Sequence, residues 1–587
     1  MRVSAKRVVL VLAVALTFAL PLTASASVSD AVSSFTYTKN MHPMGFSERA
    51  VPFTGPGSGV FNSDLAFWGK RAFQGTYEGF RIIDITEPDN PVEIENFTGC
   101  VAGTTTGNQG DVIVWGDVLV RSWNTAAPTG GAVCGGVTTP AGQEGLHVFD
   151  ISDPTDPVGL TFVPTLCGSH TATGVPDLVN DRLLVYSSPS SGSPGCEGID
   201  IVEVPLDDPA AASYLRFEPS GNPFGLFVTI DPLSSAAGTY AATGAAFGPP
   251  PSVAGVSGSV ALVNDGVGAT SDGCESFVGF PGGAIALVDR GTCTFVQKAL
   301  NAQAAGAAAM IVVNNALGPP IDMGGTDPTI TISSVMVSLA DGSTIKAGLP
   351  ATGRVFSTPV PEDPERSCHD TGVILGDAML AACAGGNGYS VWSMDPADGG
   401  SLENPMLLYS RSISGVSIGH TAAFTWDGNV LIFGHEPGGG GQARCQATSA
   451  EVDKTLFFVD PETGNTIGSF VHPRPQTEFE NCTWHNLNVV PTDKRYVLVA
   501  GNYQSGISVV DFTDPANAIE VAFADPAPLS PTSLVLGGDW STYWYNGRIY
   551  ESDIRRGLIV WNLSSNAVAG AKKLGHSNPQ TQETTLP

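Results

Sequence analysis

The fold is decided by the segment Gly79-Phe-Arg-Ile-Ile-Asp-Ile-Thr-Glu-Pro-Asp-Asn-Pro-Val92 and by its recurrence along the chain. The segment is typical of a β-strand that ends in a turn, because Ile and Val favour strands whereas Asp and Pro favour turns. Similar segments occur at Gly145–Val158 and Gly506–Ala518, and weaker copies at Gly198–Val204, Gly388–Met394, Leu456–Asp460 and Gly557–Leu563. The sequence therefore predicts seven copies of one structural unit.

Hairpins precede these segments. Tight Gly/Asp turns join short apolar strands at Leu65–Phe73, Val112–Val120 and Thr371–Leu380. Small sheets repeated every ~40 to 50 residues bury both of their faces only when they stack around a ring, which is the architecture of a propeller. We therefore predict an all-β fold, a seven-bladed β-propeller with blades 1–3 in residues 34–223 and blades 4–7 in residues 366–576.

The last repeat lacks an obvious fourth strand within Asp539–Leu563. A propeller closes its ring by completing one blade with strands from both ends of the repeat array. Either Ser34–Arg49 or Val568–His576 is expected to supply that strand. Residues 577–587 are then expected to form a C-terminal tail.

The repeats resemble those of the LVIVD-repeat family of secreted bacterial propeller proteins, most closely at Ile82–Ile85 and Val148–Ile151. The resemblance covers roughly residues 60–220 and 366–563. It implies a propeller fold and an extracellular or surface binding role. It implies no particular activity, because the family has no shared reaction.

The repeat pattern is interrupted between Phe224 and Phe356. A strand, an Arg-Gly-Thr-Cys turn, an Ala-rich helix from about Phe295 to Ala305 and a strand ending in Asn-Asn are predicted there. The segment resembles a protease-associated (PA) domain at Asp289–Gly291, Cys293, Lys298, Ala305–Ala307 and Asn314–Asn315. We expect residues 224–356 to be a small α/β domain inserted into the propeller rim, with its two ends close together. The resemblance implies binding of a peptide or protein, or control of access to a neighbouring site.

The first 26 residues are typical of a secretory signal peptide. Arg2, Lys6 and Arg7 precede an apolar run from Val8 to Leu22, and Ala24-Ser-Ala26 has small residues where a signal peptidase cleaves. The run is shorter than the ~20 residues of a membrane span. The protein is therefore expected to be secreted or associated with the cell surface, without a transmembrane span.

The charge of the chain excludes some classes of partner. The formal net charge is −29, and removal of the three basic residues of the signal peptide makes the chain more acidic. Nucleic acid and anionic membranes bind such a surface poorly. Proteins, peptides or small extracellular ligands are the expected partners, and the sequence does not determine the oligomeric state.

All ten cysteines follow the signal peptide, and an even number in an exported chain favours disulfides. No CxxC spacing indicates a zinc or redox site instead. Pairing of nearest neighbours is the simplest arrangement, with Cys274–Cys293 as its clearest pair. The cysteines are Cys100, Cys134, Cys167, Cys196, Cys274, Cys293, Cys368, Cys383, Cys445 and Cys482.

Polar residues recur at one position of the inner hairpins. Counting back seven residues from each central turn residue gives Asn62, Gln109, His170, His369, His420, His485 and Asp539. Because the first strand of every propeller blade lines the central channel, these side chains are expected to form a ring near one mouth. Neutral imidazole is a common ligand of Zn, Cu, Fe and Ni, so the four histidines are a candidate site for a divalent transition metal. No other cofactor is indicated.

Other interpretations of these positions remain open. Polar residues in a wet channel bind water and backbone amides without any metal. A shift in hairpin register would place Asp64, Asp111 or Asp370 at the mouth instead. His42, His147, His472 and His576 fall outside the pattern. Four tryptophans near the inner hairpins are expected to pack between blades or to form a platform for carbohydrate or aromatic ligands: Trp426, Trp484, Trp540 and Trp544.

No motif stands in a context that would indicate protease activity. The sequence has no His-Glu-x-x-His, and His435-Glu436 stands before Pro437 and a glycine run where no zinc-binding helix can form. Gly415-Val-Ser-Ile-Gly419 has the spacing Gly-x-Ser-x-Gly, but it lies among the repeats that predict β-strands, where no nucleophile elbow before a helix is expected. We therefore expect a binding scaffold without protease activity of its own. The alternatives are a metal-dependent oxidase or hydrolase, with Glu436 or Asp539 as its acid or base, and a purely structural surface protein.

Overall fold

The structure is a computed structural model that describes residues 27–49, 61–101, 109–189, 196–220, 225–316, 320–357 and 368–586. The predicted signal peptide, residues 1–26, lies outside these ranges. Seven four-stranded antiparallel sheets, some with an added strand, form the blades of a propeller. The predicted seven-bladed β-propeller is confirmed.

Blades 1 to 3 precede the insertion, and their strands run in order from the channel outward. Blade 1 contains Asn62–Trp68, Arg71–Thr76, Gly79–Asp84 and Val92–Phe97. Blade 2 contains Val112–Trp115, Val118–Trp123, Gly145–Asp150 and Val158–Pro164, and blade 3 contains Thr171–Asp177, Arg182–Ser188, Gly198–Pro205 and Ser213–Pro219. A further three-stranded sheet is formed by Cys100–Val101, Ala132–Cys134 and Val137–Thr139.

Blades 4 to 7 follow the insertion in the same order. Blade 4 contains Asp370–Ile374, Leu380–Gly385, Gly388–Ser393 and Met406–Ser412, and blade 5 contains Gly419–Phe424, Leu431–His435, Thr455–Asp460 and Asn465–Val471. Blade 6 contains Leu487–Val489, Val497–Gly501, Ile507–Asp511 and Ile519–Pro526, and blade 7 begins with Asp539–Tyr545, Arg548–Asp553 and Gly557–Leu563. The 3-10 helices are Pro209–Ala211, Pro396–Asp398, Val452–Lys454, Pro515–Asn517 and Asn566–Val568.

The fourth strand of blade 7 comes from the N-terminal part of the chain. Met41–Glu48 pairs antiparallel with Gly557–Leu563, so that Met41 lies opposite Leu563. Phe35–Tyr37 adds to the edge of blade 6, after a short helix at Val28–Ala31. Of the two predicted candidates, Ser34–Arg49 therefore contains the closing strand.

Residues 572–586, here called the closing belt, run along the carboxyl ends of the inner strands. The belt bonds to all seven blades, through Pro491, Asn546, Phe67–Trp68, Val114, Gly174, Val373–Ile374 and Phe424. Its short strands His576–Ser577 and Thr581–Gln582 pair with the inner strands of blades 1 and 4. Most of the segment predicted as a tail is thus part of the propeller.

The insert is a separate α/β unit. Its seven-stranded sheet contains Leu226–Ile230, Gly238–Ala242, Val256–Leu262, Ile285–Asp289, Ala309–Val313, Ser333–Val337 and Ala351–Ser357. Its helices are Phe295–Ala304, where an Ala-rich helix was predicted, and Leu339–Ala347. Leu226 lies opposite Ser357 in the sheet, so the two ends of the insert are adjacent.

Five disulfides join neighbouring cysteines of the sequence, as predicted. The pairs are Cys100–Cys134, Cys167–Cys196, Cys274–Cys293, Cys368–Cys383 and Cys445–Cys482. Each links residues within 37 positions of each other, so every bridge fastens a local loop or hairpin. Among the described residues, no helix has both the length and the apolar character needed to cross a membrane.

Candidate functional site

Four imidazole rings lie side by side across blades 3 to 6. The ring centroids of His170 and His369 are 4.3 Å apart, those of His369 and His420 are 4.2 Å apart, and those of His420 and His485 are 4.2 Å apart. Each histidine lies at or just before the start of an inner strand. We call this row of four rings the histidine arc.

The arc lines a small cavity of about 10 Å³ in the propeller channel. Gln109 lines the same cavity, as do Asp64 and Asp111, which a shifted register would have placed at the mouth. The other lining residues are Thr171, Asn486, Trp540 and Gln580. Five of the seven positions in the predicted ring thus meet at one place.

The remaining two positions of the predicted ring, Asn62 and Asp539, belong to a different group. The Asn62 amide donates to the backbone carbonyl of Asp553 at 2.8 Å. Asp539, Glu551 and Asp553 bring one carboxylate oxygen each within 4.8 Å of the others. Arg556 pairs with Asp553 at 2.6 Å, so the protein itself supplies a cation to this buried acidic group.

Glu436 reaches the arc from blade 5. Its Oε1 accepts a hydrogen bond from the Tyr503 hydroxyl at 2.5 Å and lies 3.5 Å from His485 Nε2. One donor atom from each of His369, His420 and Glu436 lies within 4.8 Å of the other two. Sequence reasoning identified these three residues but missed Tyr503, for which no sequence motif exists.

Hydrogen bonds at Nδ1 orient two rings of the arc. His485 Nδ1 bonds to the backbone carbonyl of Trp540, which only accepts, so this nitrogen carries the proton and Nε2 keeps its lone pair. The Thr421 hydroxyl donates to the His485 carbonyl at 3.0 Å and contacts His420 Nδ1 at 2.8 Å. Because the threonine proton is already used, His420 also donates through Nδ1 and leaves Nε2 free. Donation through the second nitrogen is typical of metal-binding histidines.

The arc is electrically neutral at physiological pH. Burial lowers the pKa of each imidazole, for His485 to about 3. For His369 and His420, repulsion by neighbouring histidines lowers the pKa further. Neutral imidazole is the form that binds metal, so all four rings are available as ligands without the loss of a proton.

Carboxyl groups beside the arc have raised pKa values. Burial raises the pKa of Glu436 to about 7, against the lowering effect of the Tyr503 hydrogen bond. Burial, together with the neighbouring Asp64, raises the pKa of Asp370 to about 8 and also raises that of Asp111. Asp64 itself accepts hydrogen bonds from Tyr543 at 2.6 Å and from Gln580 of the closing belt at 2.9 Å.

This donor set fits a transition metal. Two imidazoles and a carboxylate form a combination that binds zinc and related ions, with ligands ~2.0–2.2 Å from the metal. Ligands at that distance lie ~3–4 Å from one another, so a small side-chain movement from the observed spacing suffices. Cys445, His472 and Cys482 also lie together, but both cysteines are in a disulfide and are not available as ligands.

The other histidines and the four tryptophans lie apart from this donor set or pack around it. His42 is exposed, whereas His147 and His472 are buried, and His576 stacks on Trp68. No tryptophan of the four is more than 8% exposed. They therefore pack between blades, with Trp540 against His485 at 5.1 Å, and do not form an exposed platform.

Comparison with known proteins identifies the insert. Residues 256–345 match the PA domain family model. An aminopeptidase of Pseudomonas aeruginosa is 43% identical over 96 residues, which cover 16% of this chain and 15% of that protein. Vacuolar-sorting receptor 7 of Arabidopsis thaliana is 35% identical over 92 residues, which cover 13% of this chain and 15% of the receptor. The match thus spans about 15% of the length of these curated relatives.

Two solved structures show a likeness to this chain, with TM-scores below 0.5. A zinc aminopeptidase from Bacillus subtilis is 24% identical and covers 24% of this chain and 31% of its own, with a TM-score of 0.18. The WD40 β-propeller domain of Doa1 is 8% identical and covers 87% of this chain and all of its own, with a TM-score of 0.36. The predicted protease-associated domain is confirmed by the family match, and the protein is a seven-bladed β-propeller with an inserted PA domain.

Proposed function

We propose that this protein is an exported binding protein whose propeller channel holds one first-row transition metal ion. His369, His420 and Glu436 are the proposed ligands, and His170 and His485 flank them as further donors. The observation that carries the proposal is the approach of three donor atoms within 4.8 Å of one another. Five disulfides support export, because such bonds persist in oxidising compartments.

The size of the cavity favours binding of an ion over turnover of an organic substrate. Its volume is about 10 Å³, which is close to the space that one water molecule occupies. Pockets for small organic molecules are usually ~300–1,000 Å³. The chain's own residues would hold the ion, exclude bulk water and link four blades through one centre.

The PA domain is the proposed recognition unit, and its partner is a protein, a peptide or a small extracellular ligand. We propose no protease activity, because the chain lacks His-Glu-x-x-His and its Gly-x-Ser-x-Gly spacing does not precede a helix. A binding role also agrees with the resemblance of the repeats to LVIVD-family proteins.

Metal analysis of untagged protein tests the proposal. Protein purified without chelator and then dialysed should retain about one ion of Zn, Cu, Ni or Fe per chain. The His369→Ala/His420→Ala double variant should lose it, whereas the His42→Ala control, changed at an exposed histidine, should retain it. A wild-type protein that stays metal-free after incubation with Zn²⁺, Cu²⁺ and Ni²⁺, or a double variant with full metal content, would show that the arc is only a polar channel lining.

A metal-dependent hydrolase is the second candidate, favoured by one observation. Glu436 has a pKa of about 7 and bonds to the Tyr503 hydroxyl, so it can exchange a proton near neutral pH. We expect this activity only if small substrates reach the mouth of the channel. In this candidate the histidines hold the ion and Glu436 acts as the acid or base. Hydrolysis of p-nitrophenyl acetate by metal-loaded protein, retained in His42→Ala but lost in Glu436→Gln at unchanged metal content, would support it, whereas equal rates in the wild type and in Glu436→Gln would exclude it.

A further inference from the structure

A second group of metal-ligating side chains lies where blade 5 meets blade 6. Cys445, His472 and Cys482 bring one donor atom each within 4.8 Å of the others, and none of the three residues is more than 5% exposed. Two thiolates and one imidazole, with water in the fourth position, are a known ligand set of zinc. The disulfide occupies both sulfur atoms, so this set becomes available only when the Cys445–Cys482 bridge is reduced.

Backbone hydrogen bonds hold the two cysteines together independently of the disulfide. The Cys482 amide donates to the Gln442 carbonyl at 3.1 Å, and the Gln476 amide donates to the Cys445 carbonyl at 2.9 Å. Ala443 also lies opposite Cys482 in a parallel β-bridge. Because these bonds involve the backbone beside both cysteines, we expect the two sulfur atoms to remain neighbours after the bond between them is broken.

Hydrogen bonds connect His472 to the bridge and leave one of its ring nitrogens unprotonated. Nδ1 bonds to the backbone carbonyl of Arg474 at 3.1 Å, and a carbonyl only accepts, so Nδ1 carries the proton and Nε2 keeps its lone pair. Nε2 bonds to the Ser505 hydroxyl at 3.1 Å, and Ser505 Oγ lies 3.1 Å from Cys482 Sγ. Burial lowers the pKa of His472 to about 3, so the imidazole is neutral at physiological pH, the form that binds metal.

The charges around the group are compatible with a zinc ion bound to two thiolates. Arg474 and Lys454 are the cations that act on His472. Arg474 is already paired with Glu520 and Asp525, and the Lys454 ammonium donates to a backbone carbonyl at 3.0 Å. Two thiolates balance the charge of Zn²⁺, and a neutral centre costs less free energy to bury than an isolated ion.

We infer that reduction of the Cys445–Cys482 bridge converts this group into a zinc site, with Cys445, Cys482 and His472 as its protein ligands. A dithiol reductant supplies two electrons and two protons to the bridge and becomes a disulfide itself. Zn²⁺ then displaces the two thiol protons and binds the thiolates. The inference goes beyond the proposed function and does not depend on the histidine arc.

Reduction of the folded protein in the presence of zinc tests the inference. The His369→Ala/His420→Ala variant is the background, because it lacks two ligands of the proposed arc site. Tris(2-carboxyethyl)phosphine, which takes an oxygen atom from water and becomes its oxide, should open the Cys445–Cys482 bridge, as measured by alkylation and peptide mass spectrometry. After incubation with ZnCl2 under argon and gel filtration, the reduced protein should retain about one more zinc ion per chain than the oxidised protein. Co²⁺ in place of zinc should give a thiolate-to-cobalt charge-transfer band.

A histidine variant shows whether the additional ion lies in this group. His472→Gln in the same background keeps every cysteine and should lose the additional ion. His147→Gln is the matched control, because His147 is also buried and belongs to no such donor group among the described residues, so this variant should retain the ion.

Three outcomes would overturn the inference. These are a bridge that stays closed in the reductant, equal zinc content before and after reduction, and an equal gain of zinc in His472→Gln. In the last case the cysteines of the other opened disulfides would be the ligands. The wild-type protein separates this inference from the proposed function, because the zinc gained on reduction should be the same whether or not the arc holds an ion.

Discussion

At the scale of single residues, the histidine arc shows which part of the candidate site could be predicted from residue spacing in the sequence. Aligning hairpins on their turns predicted four rings at one level, because every inner strand begins at the same end of the channel. Asn62 and Asp539 occupy equivalent positions but bind within a group centred on Asp553 of blade 7. For Asn62 this partner lies 491 residues away in the sequence, so its divergence could not be predicted from local spacing. Asp539 instead pairs with Asp553 across its own hairpin.

Buried histidines outside the arc should make the fold sensitive to acid. His147 Nε2 bonds to Thr139 Oγ1 at 2.8 Å, and burial and nearby Arg121 lower the His147 pKa to about 3. In the unfolded chain the pKa returns to ~6.5, so the unfolded state gains the proton first as the pH falls. The contribution of neutral His147 to the free energy of unfolding is complete above pH 6.5 and is lost progressively as the pH falls towards 3.

The variant His147→Gln should weaken this acid sensitivity. At pH 5 the difference in protonation of His147 costs the folded state about 2 kcal/mol relative to pH 7. Urea unfolding at pH 7 and pH 5 should therefore show a loss of stability that is smaller by about that amount in His147→Gln. His42→Gln, at an exposed site, should behave like the wild type. An identical loss of stability between pH 7 and pH 5 in the wild type and in His147→Gln would contradict the lowered pKa of His147.

At the scale of elements, the repeats predicted the blades well but could not choose the closing strand. Ser34–Arg49 and Val568–His576 were both placed to complete blade 7, and local composition does not reveal which one finds a partner about five hundred residues away. The strand Met41–Glu48 closes the ring because Met41 enters a core with Val509 and Trp561. The disulfides were easier to predict, since each joins neighbours along the chain.

Truncating the side chain that anchors this closing strand should destabilise the whole ring. Met41 is fully buried, so Met41→Ala should lower the free energy of unfolding by about 2–5 kcal/mol through lost burial and a cavity. Met44→Ala is the matched control in the same strand, where the side chain is only half-buried. Urea denaturation at constant pH measures both. Equal losses for the two variants would show that closure does not depend on the Met41 contact.

At the scale of the whole molecule, the propeller is closed twice, by the strand Met41–Glu48 and by the closing belt. The repeat pattern gave no indication of the belt, because residues 572–586 are mostly polar and bond through side-chain amides and hydroxyls to the backbone of strands far away in the sequence. Gln580 also reaches Asp64 beside the histidine arc. The belt therefore lies at the carboxyl ends of the inner strands, whereas the arc lies at their starts, and Gln580 lines the same cavity as the arc.

The belt should hold the inner strands against local opening. Asn578 is 2% exposed and makes two hydrogen bonds to the backbone of Val114, at 2.8 and 2.9 Å. Its replacement in Asn578→Ala leaves a buried N–H and C=O of blade 2 unpaired, at a cost of about 1–3 kcal/mol for each group.

Amide hydrogen exchange followed by mass spectrometry should then show faster exchange in the inner strand Val112–Trp115 of Asn578→Ala. Opening of that strand becomes easier because its backbone groups lose their partner. Thr584→Ala is the matched control within the belt, since Thr584 is exposed and its hydroxyl bonds, among the described residues, only to the next residue, so exchange at Val112–Trp115 should stay at the wild-type rate. If the inner strand of blade 2 exchanges at the wild-type rate in Asn578→Ala, blade 2 is stable without the belt. The belt would then lie along the channel without stabilising the inner strands.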